Sequence, residues 1–150
     1  MKKIFLILSV LAVQLCFSQK VKSATIKEVK TTEQKLELSK DKIELFNGKF
    51  VQFINALKIS DKKVMESLLS DKAKTAVTDK VYKKLTEDIH FDKKLEIFKT
   101  GYKSLIGGGN YPMIQYKYSD DKSTEPKEII TAVFEENGKI LGIKPYKQEK

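Results

Sequence analysis

The spacing between apolar residues changes once along this chain, near its only histidine, His90. Between Asp41 and that point, large apolar side chains recur every three or four residues, which is the period of a helix. Beyond it, apolar and polar residues alternate, which is the period of a strand. Helices that precede a run of strands are typical of an α+β domain. The pattern therefore predicts helices packed on one face of an antiparallel sheet.

Three helical stretches are expected in the first part of this domain. The first begins at Asp41 and places six apolar residues on one face, namely Ile43, Phe46, Phe50, Phe53, Ile54 and Leu57. A short second helix follows the capping pair Ser60-Asp61. The third stretch, whose pattern allows a break around Thr78-Asp79, has apolar residues at steps of four, namely Ala73, Val77, Val81, Leu85 and Ile89.

Four strands are expected after His90, arranged as two hairpins. The run Gly107-Gly108-Gly109-Asn110 marks the first turn, and Asn137-Gly138 marks the second. The apolar residues that alternate with polar ones around the first turn are Leu95, Ile97, Ile114, Tyr116 and Tyr118. We therefore expect three N-terminal helices packed on a curved four-stranded antiparallel sheet, with the first helix lying across its concave side.

The start of the chain has the pattern of a secretory signal peptide. Two lysines precede a run of about a dozen apolar residues and a small-residue end at Ser18. This run is shorter than the ~20 residues that cross a membrane as a helix, so we expect cleavage near Ser18 and no stable membrane anchor. Acylation of Cys16 is the disfavoured alternative, because Leu15 stands where a small residue is needed. The expected destination is the periplasm or the medium.

Three segments follow from this interpretation: a signal peptide over 1–18, a flexible leader over 19–40 and a single α+β domain over 41–147. Cleavage removes the only cysteine, so disulfides and thiolate chemistry are excluded from the exported part. The formal charge of +9 loses two lysines and becomes +7. Every basic residue apart from His90 is a lysine, which favours a solubilising, lysine-rich surface over a nucleic-acid site.

Three phrases of the sequence resemble the nuclear transport factor 2-like superfamily. They are Phe53-Ile54-Asn55-Ala56-Leu57-Lys58 with the following Ser60-Asp61, then 111–118 (YPMIQYKY) and 134–142 (FEENGKILG). The resemblance covers Asp41 to Tyr146 and is to small exported bacterial members. It implies a cone-shaped α+β fold with a pocket between the helices and a strongly bent sheet. The superfamily contains isomerases, dehydratases, ligand-binding modules and interaction domains, so the resemblance implies no particular reaction.

No group of residues in the chain calls for a particular chemistry. A single histidine excludes a histidine metal cluster, and His90 is better explained as a solvated or helix-capping residue than as a base. The glycine run lacks the strand-to-helix context of a phosphate loop. The acidic pair Asp120-Asp121 lacks the ligand spacing of a calcium hand. We therefore expect no catalytic residue, no metal and no cofactor, and hence no enzymatic activity.

The aromatic residues predict where a ligand would bind. The pocket candidates are Phe46, Phe50, Phe53, Tyr116, Tyr118 and Phe134. Ordinary core packing is the alternative explanation for the same residues. The first hypothesis is an exported non-enzymatic module that holds a small apolar or amphiphilic molecule, or a peptide, between the first helix and the sheet. The second is an interaction or homodimerisation domain that uses the open sheet face, and the third is an enzyme with an acid or base in the pocket.

Overall fold

A computed structural model of the protein describes residues 37–148. It contains four helices followed by four strands: α1 (Lys40–Lys58), α2 (Lys62–Leu68), α3 (Asp71–Ala76), α4 (Asp79–Asp88), β1 (Leu95–Ser104), β2 (Asn110–Tyr118), β3 (Glu128–Phe134) and β4 (Ile140–Lys147). The prediction of an α+β fold with a four-stranded antiparallel sheet is confirmed. The predicted signal peptide and most of the predicted leader lie outside the described residues. At the leader's end, Leu38 is buried in the core and Ser39 caps α1.

The helices differ from the prediction in number, because the third predicted stretch is two helices. Helix α3 ends at Ala76, and both Val77 and Thr78 have extended backbone conformations. Adjacent β-branched residues are poor helix formers, and Thr78 followed by Asp79 is a favourable helix start. The break therefore falls one residue before the position that the pattern allowed. None of the helices in the described range is both long and apolar enough to cross a membrane.

The sheet is a meander with the order β1-β2-β3-β4, and each strand is antiparallel to its neighbours. Both predicted turns lie where the glycines indicated. Gly107, Gly108 and Gly109 have φ angles of 103°, 95° and 92°, and Gly138 has a φ of 86°. These left-handed values favour glycine over residues with a Cβ atom. A bulge at Phe98 interrupts the pairing of β1 with β2, because Ile97 pairs with Tyr116 whereas Lys99 pairs with Gln115.

The core lies between α1 and one face of the sheet, here called the inner face. The predicted stripe of α1 supplies Phe46, Phe50 and Phe53, each at most 1% exposed. Alternating residues of the two central strands form the other side of the core, namely Ile114, Tyr116, Tyr118, Ile130, Ala132 and Phe134. Burial of this stripe is the main interaction that holds the helix on the sheet.

Apart from the buried Val133, side chains of the opposite face are half-buried or exposed. We call this the outer face, and its central part consists of Lys99, Lys103, Gln115, Lys117, Ile129, Thr131, Lys144 and Tyr146. The alternation of buried and exposed residues along β2 follows the pleat of a sheet that is covered on one side.

Candidate functional site

A cavity of about 410 Å³ lies between α1 and the β1–β2 end of the sheet. Its third wall is the connection from α4 to β1. The residues around it are Asn47, Phe50, Val51, Ile54, Asn55, Lys58, Ile89, His90, Phe91, Lys93, Leu95, Glu96, Ile97 and Tyr116. This volume falls within the range of roughly 300–1,000 Å³ that is usual for small-molecule sites.

Tyr116 is the most informative residue of the cavity wall. Its ring stacks on Phe50, with 3.9 Å between the ring centroids and 11° between the planes. The residue is only 2% exposed. Among the described residues, its hydroxyl is the one buried side-chain polar atom that has no hydrogen-bond partner. An unpaired buried hydroxyl costs about 1–3 kcal/mol, so this position is unfavourable unless something else pairs with it.

The position of Tyr116 follows from the local sequence. The alternation along β2 turns its side chain to the inner face, opposite Ile97 of β1 and Ile130 of β3. On the helix side, Phe50 belongs to the apolar stripe of α1 and meets the tyrosine ring across the core. Burial raises the pKa of the Tyr116 phenol well above its ordinary value. The hydroxyl is therefore protonated at neutral pH and can both donate and accept a hydrogen bond.

Polar and apolar residues contribute to the cavity lining in about equal numbers. Helix α1 contributes Asn47, Asn55 and Lys58 to the lining. On the other side, Lys93 is bound to Asp120, with 2.9 Å between the Nζ and Oδ2 atoms. This contact raises the pKa of Lys93 and lowers the pKa of Asp120. This mixture of polar and apolar lining groups suits a ligand that has both kinds of surface.

Two of the six predicted pocket residues, Phe50 and Tyr116, line this cavity. The structure places Phe46, Phe53 and Phe134 in the core, where the rings of Phe46 and Phe134 stack at a centroid distance of 4.9 Å. Tyr118 is also buried, and its hydroxyl accepts a hydrogen bond from the backbone N–H of His90 at 2.9 Å. The structure therefore places these four residues in core contacts outside the cavity lining.

Several lining residues were missed in the sequence analysis. Asn47, Val51, Ile54 and Lys58 lie at steps of four, three and four, so they form a second stripe of α1 beside the phenylalanines. Of these, only Ile54 was identified, and it was assigned to the core stripe. The helical spacing around Phe50 could have identified the others. The residues of the α4–β1 connection have no comparable signal, because their placement depends on the path of an irregular segment.

His90 belongs to the lining of the cavity. Its Nε2 atom is 3.7 Å from Oε2 of Glu128, which is too long for a hydrogen bond, and 45% of its side chain is exposed. No group of three or more histidine, cysteine, aspartate or glutamate side chains within 37–148 could hold a metal ion. Among the described residues, Glu128 is thus too far from the His90 ring to fix its orientation by a hydrogen bond.

The acidic loop after β2 is held together by its own hydrogen bonds. One carboxylate oxygen of Asp121 accepts hydrogen bonds from the N–H and hydroxyl groups of Ser123, and the other accepts one from the N–H of Lys127. These bonds lower the pKa of Asp121 to about 2. Both oxygens are thus used to close the loop, which is a structural role.

Comparisons of the chain with protein-family models, with curated proteins and with solved structures find no match.

Proposed function

We propose that this protein is a non-enzymatic binding module that holds a small amphiphilic molecule in the cavity between α1 and the sheet. The observation that carries the proposal is the unpaired hydroxyl of Tyr116 in the wall of that cavity. A ligand whose polar group pairs with this hydroxyl recovers part of the roughly 1–3 kcal/mol that the unpaired group costs. The apolar part of the same ligand contacts the side chains of Phe50, Ile54 and Ile97.

The size of the cavity favours a small molecule over a peptide. A volume of about 410 Å³ is near the lower end of the range for small-ligand sites. An extended peptide needs a longer groove with polar groups for its backbone along the whole length. Catalysis on the bound molecule is disfavoured, because His90 has no partner close enough to orient it as a base.

The proposal also covers the superfamily of the fold and the cellular location of the protein. We propose that the domain over 41–147 belongs to the nuclear transport factor 2-like superfamily, with a curved sheet that closes around the ligand. The order of helices before a four-stranded meander, and a cavity between the first helix and the sheet, support this placement. The pattern at 1–18 supports export to the periplasm or the medium, with 19–40 as a leader.

The test is a titration of the protein, in the form that its host produces, with 1-octanol and with octanoate. Binding is followed by the methyl NMR signals of Ile54 and Ile97. The variant Val51→Trp puts a large ring into the cavity at a partly exposed position, 46% exposed. The matched control is Val81→Trp on α4, where the residue is 37% exposed and lies outside the cavity lining.

We expect saturable binding to the wild type and to Val81→Trp, and loss of binding in Val51→Trp. If Val51→Trp binds either probe as tightly as the wild type does, the ligand does not occupy this cavity. Absence of saturable binding of both probes to the wild type would refute the amphiphile class.

A further inference from the structure

The outer face of the sheet carries side chains in register across all four strands. Lys99 pairs with Gln115, which pairs with Thr131, which pairs with Lys144. Neighbouring strands are about 4.8 Å apart, so the two lysines stand at the ends of a row roughly 14 Å long. The middle of the row is neutral and polar, and the amide Nε2 of Gln115 lies 3.3 Å from the hydroxyl of Thr131.

The charges of the outer face are not balanced. Its four lysines share one acidic neighbour on the face, Glu96, which pairs with Lys117 at 3.4 Å. Within 37–148, no carboxylate lies within salt-bridge distance of Lys99, Lys103 or Lys144. Three cations are therefore left without an anionic partner on one surface, and surface charges of one sign attract ligands of the opposite sign.

A shallow hollow of about 190 Å³ lies near the centre of this face. It is lined by Lys103, Gln115, Ile129, Thr131, Lys144 and Tyr146. Lysine ammonium groups, an amide and a hydroxyl can all donate hydrogen bonds to a carboxylate. The hollow is large enough for one acidic side chain, and Ile129 with the exposed ring of Tyr146 offers apolar contact beside it.

We propose that the outer face is a docking surface for an acidic segment of a partner protein, with one carboxylate seated in the hollow between Lys103 and Lys144. Charge complementarity selects this occupant over a second copy of the chain. A symmetric contact of two outer faces would bring the same three unpaired lysines against each other. Lysines on edge strands also oppose edge-to-edge pairing between copies.

A protein segment fits the face better than a phosphate polymer does. The chain contains no arginine, which is the residue that clamps phosphate groups in a bidentate manner. The face also combines its lysines with Gln115, Thr131, Ile129 and Tyr146, a mixture of polar and apolar groups that resembles a protein interface. This surface lies on the opposite side of the sheet from the cavity, so the two proposals stand independently.

The experiment measures the binding of hexaglutamate to the isotope-labelled protein by NMR. We expect the side-chain amide signal of Gln115 to shift with saturation. The double variant Lys103→Gln/Lys144→Gln should bind the peptide about five- to thirtyfold more weakly, which corresponds to a loss of about 1–2 kcal/mol for two exposed charge pairs. The matched control, Lys72→Gln/Lys80→Gln, removes the same charge from exposed positions on α3 and α4 and should bind within about twofold of the wild type.

Three outcomes would overturn the proposal. The first is equal weakening in both double variants, which indicates attraction to net charge alone. The second is binding of phosphatidylglycerol vesicles or heparin that depends on Lys103 and Lys144 where hexaglutamate binding does not, which assigns the face to a different partner class. The third is a dimer in sedimentation experiments that Lys103→Gln/Lys144→Gln strengthens, since this identifies the outer face as a contact between copies.

Discussion

The substitution Tyr116→Phe should make the unliganded protein more stable. It removes the one buried side-chain hydroxyl without a partner among the described residues and keeps the ring that stacks on Phe50. The relieved penalty is about 1–3 kcal/mol. The missing oxygen leaves a void of ~10 Å³, which costs only ~0.2 kcal/mol. We therefore expect the free energy of unfolding to rise by about 1–3 kcal/mol, or Tm by roughly 4–12 °C for a domain of this size.

The neighbouring inner-face tyrosine provides the control, because its hydroxyl is paired. Tyr118 accepts a hydrogen bond from the backbone N–H of His90 at 2.9 Å. The substitution Tyr118→Phe removes this bond and leaves a half-buried N–H without its partner. We expect this variant to lose about 1–2 kcal/mol of stability. The same chemical change, two residues apart on one strand and on one face, should thus have opposite signs.

The assay is urea unfolding of both variants, followed by circular dichroism, with thermal unfolding as a second readout. The binding counterpart is the titration with 1-octanol, in which Tyr116→Phe should weaken binding about five- to tenfold, since the ligand loses a hydrogen bond. A fall in stability in Tyr116→Phe comparable to that in Tyr118→Phe would refute the reasoning, because it would show that the hydroxyl has a partner. Unchanged octanol affinity would remove the role of this hydroxyl in recognition.

Three further outcomes follow from the core and the helix ends. Burial raises the pKa of the Tyr116 phenol, so the unfolded chain releases this proton at a lower pH than the folded chain does. Stability should therefore be full below ~pH 10 and fall above it by up to ~1.4 kcal/mol per pH unit. When urea midpoints are compared from pH 9 to 11, Tyr116→Phe should show a smaller slope than the wild type. An equal slope in the two proteins would contradict this. Phe50→Ala should cost about 3–5 kcal/mol by urea unfolding, because the ring is 1% exposed, and a cost near zero would mean that α1 does not pack on the sheet. Ser70→Ala should cost about 1–2 kcal/mol of stability, since the hydroxyl of this 1% exposed cap accepts a hydrogen bond from the N–H of Ala73 at 3.1 Å. Ser39→Ala, at the exposed cap of α1, should cost less. The reverse order in thermal unfolding would contradict the argument.

Local periodicity was sufficient to predict the main elements of the fold. The stripe of α1 from Phe46 to Leu57 and the alternation of Ile114, Tyr116 and Tyr118 both face the core as their spacing indicated. These features depend on neighbours within one element. The turns at Gly107–Gly109 and Asn137-Gly138 could also be predicted from the sequence, because each requires a backbone conformation that few residues adopt.

The cavity could be predicted only in part. Phe50 and Tyr116 were identified because aromatic residues on facing elements are expected to meet. The void beside them depends on how the α4–β1 connection passes Ile54, which is distant from it in sequence. The lack of a partner for the Tyr116 hydroxyl is likewise a property of the packed structure, because it depends on every polar group that packing brings near. The sequence pattern of a single segment therefore could not predict this missing partner.

The bulge at Phe98 has a consequence for engineering of the sheet. Residues 97 and 99 have the same parity along β1, yet the bulge lets Ile97 face the cavity while Lys99 faces outward. Deletion of this one residue would restore strict alternation and keep every downstream residue on its present face, since Lys99 would then follow Ile97 directly. If Phe98 were instead paired in the regular ladder, Lys99 and Lys103 would point toward the core, and Thr100 and Tyr102 away from it. The extra residue is thus accommodated as a bulge because the regular alternative would bury two lysine charges.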